Sequence, residues 1–207
     1  MAHNNPRIIS KTEMPVSEAK WITLKKIKYA DQDGTERVWE SAERKTRRST
    51  GVDGVAVFAV LRSKTNAFPV STVVIEQYRP PIDKYIIELP AGLVDEGETV
   101  EEAGKRELHE ETGYIAGKVL QTTPVTVCDP GMTNANMQLV VIEVTMEDKL
   151  LTPEPKLDPG EHIVTKVVEI DKLQATMDDY DKKGFVIDSR LSHLIAGFQL
   201  AKQLKVL

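Results

Sequence analysis

Residues 106–113 read RELHEETG, and they close a helical pattern that begins near Thr99. Glu107, Glu110 and Glu111 stand at positions i, i+3 and i+4, so their carboxylates converge on one face of that helix. Helix C-termini favour cations, because the unpaired carbonyl groups leave partial negative charge there. No Lys or Arg separates these glutamates from the end of the helix. The order of charges therefore opposes helix stability, and the segment needs another explanation.

The first half of this helix has the pattern of an ordinary solvated face. Thr99 lies three residues before Glu102, as in a capping box, and Lys105 and Arg106 each follow a glutamate at the favourable i,i+4 spacing. The second half lacks such partners, and a divalent cation would remove the repulsion. Clustered carboxylates are hard oxygen ligands that suit Mg²⁺ or Mn²⁺, together with water and substrate phosphates. The pattern predicts a metal site, with a solvated acidic face as the alternative.

The composition argues against several classes of protein. The chain has 207 residues, of which 41% are hydrophobic and 29% charged, as in an ordinary globular protein. A net charge of −5 argues against nucleic acid or an anionic membrane as a partner. The single cysteine, Cys128, cannot form an internal disulfide and is expected to be a small buried residue in a reducing compartment. The longest apolar run, Val55 to Leu61, is seven residues and too short for a membrane span. The N-terminus also lacks an apolar signal-peptide core, so the expected location is the cytosol or the nucleus.

Alternating hydrophobicity and turn residues predict a mixture of strands and helices. The expected strands are 21–29, 36–42, 53–62, 70–79, 85–89, 118–127, 136–146 and 162–169, and the expected helices are 99–113, 171–181 and 188–205. Such a mixture indicates an α/β or α+β sandwich. No clean linker divides the chain, and we predict a flexible lead-in over 1–18, a β-hairpin segment over 19–50 and a main domain over 51–207.

The loop and helix together resemble the Nudix box at every fixed position. The fixed residues are Gly92, Glu98 after five residues, Arg106-Glu107-Leu108 after seven, Glu110-Glu111 after one and Gly113 after one. Tyr114 is a mild departure, because the family usually has a bulky aliphatic residue there. The resemblance implies an α/β/α sandwich with mixed sheets that hydrolyses a nucleoside diphosphate linked to a second moiety. It also explains the crowded carboxylates, which would be placed to hold metal.

Further stretches are similar to one branch of that family, the ADP-ribose (ADP-sugar) pyrophosphatases. They are EQYRPP at 76–81, ELPAG at 88–92 and DPG at 129–131, with KW at 20–21 and TERVWESAER at 35–44 resembling the eukaryotic members. The resemblance implies hydrolysis of ADP-ribose to AMP and ribose 5-phosphate. It also implies a homodimer in which an N-terminal β-extension takes part, with the adenine held between two tryptophans from different subunits.

The resemblance assigns substrate contacts to nine residues of this chain. They are Trp21, Trp39, Glu40, Arg44, Arg79, Leu93, Asp129, Gly131 and Met132. The two tryptophans would stack on adenine, and Glu40 would accept a hydrogen bond from its amino group. The two arginines would bind phosphate or ribose oxygens, for which a guanidinium fork is suited. Residues 129–132 would line the terminal ribose.

The resemblance also assigns the catalytic and metal-binding residues. Glu107, Glu111 and the Ala91 carbonyl would hold Mg²⁺, with Mn²⁺ as a second candidate and Glu110 assisting. Glu161, in the stretch LDPGEHI, would position or deprotonate the attacking water. Glu110 and Glu111 complete the expected catalytic set.

Several alternative interpretations fit the same residues. Trp21 and Trp39 would also suit a core or an interface, Arg44 a solvated edge strand, and His109 the surface away from the glutamates. The substrate could instead be another ADP-sugar or an oxidised nucleoside diphosphate. A non-catalytic nucleotide-sugar sensor would use the same fold, but the intact RELHEE argues against it, because a pure binder needs no such carboxylate cluster. A third class, an acidic interaction module, would bind no nucleotide at all.

Overall fold

The computed structural model describes residues 6–205. Its strands are β1 Ile22–Ala30, β2 Glu36–Arg44, β3 Gly54–Ser63, β4 Ser71–Arg79, β5 Lys84–Glu88, β6 Ala91–Leu93, β7 Val119–Thr122, β8 Thr126–Val127, β9 Asn136–Met146, β10 Ile163–Glu169 and β11 Val186–Ile187. Its helices are α1 Val100–Thr112, α2 Leu173–Lys182 and α3 Ser189–Leu204, with short 3-10 turns at Val16–Glu18, Pro80–Ile82 and Ile170–Lys172. The first five residues of the predicted lead-in and the last two of the predicted main domain lie outside the described residues.

The strands and helices expected from the sequence are confirmed, with one strand divided in two. The stretch expected as 118–127 forms β7 and β8, and Pro124 lies in the gap, where it has no N–H to donate. Strands β6 and β11 were not expected, because two or three residues are too few to show a hydrophobic period. Along residues 6–205, no helix is long and apolar enough to cross a membrane.

A large mixed sheet organises the chain. Its order is β11–β5–β4–β3–β9–β7, and β10 pairs with β4, β6 with β3, and β8 with β9. Strands β3 and β9 run parallel, whereas β4 is antiparallel to both β5 and β10. Strands β3 and β4 meet only at Leu61 and Ser71, and the opposite end of β3 pairs with β6 instead. This mixed sheet with few helices confirms the predicted α/β class.

Strand β3 is buried on both faces, and this places helices on both sides of the sheet. Its residues Val55, Val57, Ala59 and Leu61 belong to an apolar cluster that also contains Ala103 and Leu108 of α1. Its residues Ala56, Phe58 and Val60 belong to a second cluster, with Leu173 of α2 and Leu191 of α3. Side chains alternate between the faces of a strand, so the two clusters form the two halves of an α/β/α sandwich.

Strands β1 and β2 form a separate two-stranded sheet. They pair antiparallel over their full length, beginning at Ile22 and Arg44. Just beyond β2, the Arg47 guanidinium lies 2.6 Å from the carboxylate of Asp53, which is buried immediately before β3. The hairpin is therefore tied to the main sheet at its base. Its boundaries at 19 and 50 stay a prediction.

Candidate active site

Helix α1 begins and ends as its sequence predicts. The Thr99 hydroxyl oxygen accepts a hydrogen bond from the Glu102 N–H (3.2 Å), and the Glu102 carboxylate accepts one from the Thr99 N–H (2.8 Å). Gly113 ends the helix with a φ of 74°, which glycine adopts without strain. At Gly104, an added Cβ would lie 3.4 Å from Val140 of β9. The helix therefore packs closely on the sheet, and its last turn has a defined position.

Arg106 has different ion-pair partners from those expected. Its guanidinium lies 3.0 Å from Glu98, 2.7 Å from Glu107 and 2.9 Å from Glu110. The expected pair with Glu102 is wrong, because that carboxylate caps the helix N-terminus instead. The view that all three glutamates of the last turn lack a cation is also wrong. Among residues 6–205, the ion pairs of Arg106 include two of them but not Glu111.

Glu111 is a buried carboxyl group, with 6% of its surface exposed. It accepts a hydrogen bond from the Ala91 N–H (2.9 Å). Burial above all, with the negative charges of Glu107 and Glu161, raises the pKa of Glu111 to about 8, against the opposing effect of that hydrogen bond. Burial also raises the pKa of Glu107, although Arg106 opposes this. A carboxyl group with such a pKa would exchange its proton for a cation near neutral pH.

Glu161 lies close to these helix carboxylates, although it is 50 residues from Glu111 in sequence. It is exposed and belongs to the irregular segment 147–162 between β9 and β10. Its backbone N–H donates to the Asp158 carbonyl (3.0 Å), and its carboxylate accepts from the Asp158 N–H (3.1 Å). The negative charge of Glu161 raises the pKa values of Glu107 and Glu111. The structure therefore brings together the predicted water-positioning residue and the predicted metal ligands.

A cleft of about 490 Å³ opens next to the loop that contacts these glutamates. Four of the residues assigned to the site, Arg44, Arg79, Ala91 and Leu93, contribute to its wall. The ends of β4 and β5, the start of β3, and β6 form one side of the cleft. The rest of the wall includes Cys128, residues 135–137 and the N-terminus of α3, at 188–190.

The acidic residues of the cleft wall all have arginine partners. The pairs are Glu88–Arg79 (2.7 Å), Asp188–Arg190 (2.8 Å) and Asp53–Arg47 (2.6 Å). Across residues 6–205, no carboxylate lies within ion-pair distance of Arg44. Arg44 is therefore the guanidinium of the wall most available to an anionic ligand, and Arg79 is held in place by buried Glu88.

Trp39 docks on the turn that contains Asp129, Gly131 and Met132. The Trp39 Nε1–H donates to the Gly131 carbonyl (2.9 Å), and within the turn the Met132 N–H donates to the Asp129 carbonyl (3.2 Å). The structure therefore brings one predicted stacking residue together with the three residues assigned to the terminal ribose. Glu40 follows Trp39 on β2 and points to the opposite face of the hairpin, because strand side chains alternate.

Trp21 lies far from Trp39 within the same chain. Its carbonyl accepts a hydrogen bond from the Lys45 N–H (2.9 Å), whereas Trp39 pairs with Ile27. Six residues separate Trp39 from Lys45, which corresponds to about 20 Å along a strand. Strand alternation puts both indoles on the same face of the hairpin, at opposite ends. A single chain therefore does not place both tryptophans on one base.

Residues 50–188 match the NUDIX domain. The chain belongs to the Nudix hydrolase family. Over 188 residues it is 42% identical to an ADP-ribose pyrophosphatase of Saccharomyces cerevisiae, covering 90% of this chain and 80% of that protein. Over 162 residues it is 35% identical to an ADP-sugar pyrophosphatase of Mus musculus, covering 78% and 72% of the two chains. These relatives confirm the resemblance on which the site assignments rest.

A crystal structure of an ADP compounds hydrolase has the same fold. It superposes with a TM-score of 0.63 at 21% identity, over 92% of this chain and 90% of that one. The predicted Nudix sandwich is therefore confirmed at the level of the fold.

The last turn of the Nudix helix fits a divalent metal ion, which Nudix hydrolases generally use. Gly92 leaves room for the carboxylate of Glu107, because an added Cβ would lie 1.9 Å from its Oε1. Within residues 6–205, no three Asp, Glu, His or Cys side chains already surround one ion position, and Arg106 holds Glu107. Arg106 and a metal ion would therefore compete for the Glu107 carboxylate.

The cleft residues that were not predicted as site residues include Glu88, Asp188 and Arg190. Glu88 lies within the quoted ELPAG stretch, but nothing local shows that it holds Arg79. Asp188 caps α3 by accepting a hydrogen bond from the Arg190 N–H (2.9 Å). An N-cap is visible in a sequence, but its place in a cleft depends on where the whole helix packs. Only the tertiary structure could therefore assign Asp188 and Arg190 to this wall.

Two minor predictions about single residues are wrong. Cys128 is exposed and lines the cleft rather than being buried, because it follows β8 in a loop and not in a strand interior. His109, expected at the surface, is half-buried, and its Nδ1 is buried without a hydrogen-bond partner in the described part of the chain.

Proposed function

We propose that this Nudix hydrolase cleaves the pyrophosphate bond of ADP-ribose and related ADP-sugars, with AMP and ribose 5-phosphate as the products from ADP-ribose. The observation that carries the proposal is the juxtaposition of Glu107, Glu111 and Glu161 beside a cleft that has Arg44 and Arg79 on its wall. Carboxylates that hold metal and guanidinium groups that bind phosphate are the two requirements of pyrophosphate hydrolysis. The names of the yeast and mouse relatives support the choice of substrate.

Mg²⁺, or alternatively Mn²⁺, would be held by Glu107, Glu111 and the Ala91 carbonyl, with Glu110 assisting. When bound, the ion would supply charge neutralisation of the phosphate oxygens and acidify a water molecule. The carboxylate of Glu161 would position that water or take its proton. The hydrogen bond from the Ala91 N–H to the Glu111 carboxylate holds the loop and the helix in a fixed relative position, as a shared metal site requires.

Arg44 and Arg79 would bind the phosphates, and Leu93 would contact the substrate beside them. Glu88 limits the freedom of Arg79, so less ordering is needed when substrate binds. Residues 129–132 would contact the ribose, and the bond from Trp39 to Gly131 would join this turn to the base platform.

The active unit would be a homodimer in which Trp21 of the partner subunit completes the platform. Trp21 and Trp39 are 61% and 50% exposed, and Ile27 on the same face is 40% exposed. A two-fold axis near the middle of the hairpin, where Leu24 pairs with Ala42, would bring one end of a hairpin over the opposite end of its neighbour, as in any isologous contact. Such an axis would place Trp21 of one subunit near Trp39 of the other. The exposed thiol of Cys128 also fits a reducing compartment, so we propose the cytosol or nucleus as the location.

A panel of substrates tests the function. We expect ADP-ribose to give the highest kcat/KM, above other ADP-sugars, oxidised nucleoside diphosphates, GDP-mannose and diadenosine polyphosphates, with AMP and ribose 5-phosphate identified by mass. Preference for another compound of the panel would favour a different nucleoside diphosphate derivative. Binding of ADP-ribose without turnover in Mg²⁺ or Mn²⁺ would point to a sensor, and absence of binding to an interaction module.

Subunit exchange tests the shared base platform. Trp21→Ala should weaken substrate binding by about five- to a hundredfold, as loss of a stacked aromatic does, and Glu111→Gln should be almost inactive. If each site borrows Trp21, a heterodimer of the two variants has one site with both defects and one with neither. Equal mixing would then leave about a quarter of all sites intact after random exchange.

The measurement is turnover well below the KM of the wild type, before and after exchange verified by mass or by two affinity tags. A mixture of wild type with Glu111→Gln gives the calibration for exchange. Activity that stays at the average of the two separate variants would show that each chain uses its own Trp21, and the shared platform would be wrong.

A further inference from the structure

The segment 147–162, which carries Glu161, contains neither helix nor strand. Long irregular segments inside compact domains are commonly functional, and their position depends on individual contacts. Three contacts fix this segment to the end of the Nudix helix. The Lys156 N–H donates to the Glu110 carbonyl (2.7 Å), and the Tyr114 hydroxyl donates to the Leu151 carbonyl (2.6 Å). At Gly113 the chain passes so close that an added Cβ would lie 2.3 Å from the Glu154 carbonyl oxygen.

Tyr114 differs from the other two contacts because its side chain makes the bond. Its ring belongs to the same apolar cluster as Leu108, and only 3% of the residue is exposed. Burial raises the pKa of Tyr114 to about 12, so the hydroxyl stays a donor at all working pH values. The bulky aliphatic residue usual at this place in the Nudix box would fill the same space without donating a hydrogen bond.

Apart from the hydrogen bonds that Ser63 and Thr65 donate to Glu147 and Asp148 at the start of the segment, few contacts hold the part near Leu151. The Leu151 side chain is 55% exposed, and its neighbour Leu150 packs only partly on the apolar cluster. Between the contact at Leu151 and the turn that holds Glu161, the Lys156 bond is the single backbone link to α1 among the described residues. Loss of the Tyr114 bond would therefore loosen the stretch between Asp148 and Lys156 while leaving the core packed.

We propose that Tyr114 is a positioning residue whose hydroxyl fixes the segment 147–162 and thereby keeps Glu161 near Glu107 and Glu111. The inference rests on the proposed function, because it assigns Tyr114 to the water-positioning step of that reaction. Tyr114 acts through Glu161 and does not touch the substrate.

Tyr114→Phe removes the hydroxyl and keeps the ring, so the core should stay folded. Without substrate, amide hydrogen exchange should speed up by about two- to tenfold in 150–162, the equivalent of one hydrogen bond, and stay unchanged in β3 and β9. With ADP-ribose, kcat should fall by about the same factor at nearly constant KM. Tyr180→Phe is the control, because Tyr180 donates its hydroxyl to Glu76 and not to the segment 147–162, and this variant should match the wild type in both measurements.

A double-mutant cycle with Glu161→Gln separates positioning from general destabilisation. If Tyr114 acts through Glu161, adding Tyr114→Phe to Glu161→Gln should change kcat by less than about twofold. An undiminished effect in that background, or unchanged exchange in 150–162, would overturn the inference. If the wild type is active and Tyr114→Phe is equally active, this inference is wrong but the proposed function stands. Absence of turnover by the wild type would instead overturn the proposed function, and the role of Tyr114 in turnover with it.

Discussion

Glu111→Gln should lower the turnover of ADP-ribose on the order of a thousandfold while the fold survives, because a lost metal contribution of several kcal/mol has that effect. Glutamine has nearly the same shape and can still accept the hydrogen bond from the Ala91 N–H. It lacks the negative charge that a divalent ion needs. Steady-state kinetics over a series of Mg²⁺ and Mn²⁺ concentrations would measure the loss.

Glu101→Gln is the matched control, because Glu101 is an exposed glutamate of the same helix and should tolerate the change at nearly wild-type activity. Circular dichroism would show that both variants are folded. Wild-type turnover by purified Glu111→Gln would refute the metal-binding role of Glu111.

The same substitution should stabilise the protein when a chelator removes metal. The pKa of Glu111 rises from 4.5 to about 8 on folding, so the metal-free folded protein keeps a proton that the unfolded chain has lost between about pH 5 and 8. The contribution of Glu111 to the free energy of unfolding is fully present below pH 4.5 and is lost as the pH rises through 8. Glutamine does not titrate, so the Tm advantage of the variant should grow by several degrees between pH 5 and pH 8. Added Mg²⁺ should raise the Tm of the wild type and not that of the variant.

Glu161→Gln should lower kcat by about a hundredfold or more, with a KM within a few-fold of the wild type, as removal of a general base does. Glu161 is exposed, and its charge raises the pKa values of Glu107 and Glu111, the proposed metal ligands. Its loss should therefore impair the attack by water more than the binding of substrate. The decisive measurement is whether kcat falls while KM stays within a few-fold of the wild type.

Glu154→Gln provides the control for Glu161, since it changes an exposed glutamate of the same irregular segment. It should keep both constants near those of the wild type. A raised KM with unchanged kcat in Glu161→Gln would make Glu161 a plain substrate-binding residue.

Local features of the molecule were predictable because they depend on contacts within a few residues. The capping box of Thr99 and Glu102, the end of the helix at Gly113 and the close approach at Gly104 all follow from i, i+3 and i+4 geometry. The strands were predictable for the same reason, since alternation is a property of neighbours. Where the period was too short, as in β6 and β11, or interrupted, as at Pro124, the sequence alone did not give the boundary.

The ion pairs of Arg106 show where local reasoning fails. Spacing allows this side chain to reach Glu102 or Glu110, and the choice depends on which carboxylate is already occupied. The cap takes Glu102, and Glu98 of the preceding loop adds a partner eight residues away that no helical spacing could indicate. A long, flexible side chain such as that of Arg106 binds the carboxylates that the folded loop places within its reach.

By itself, the sequence determined the family, the carboxylate cluster and the helix that carries it, because the Nudix box is a local pattern with fixed spacing. Tertiary structure alone decided which distant residues join that cluster. It brought Glu161 to the helix through the segment after β9, and it assigned Glu88 and Arg190 to the cleft wall. It also separated Trp21 from Trp39, because the register of the hairpin puts the two side chains six positions, or about 20 Å, apart along the strands. Packing of non-neighbouring elements sets such positions, and no spacing within the chain encodes them.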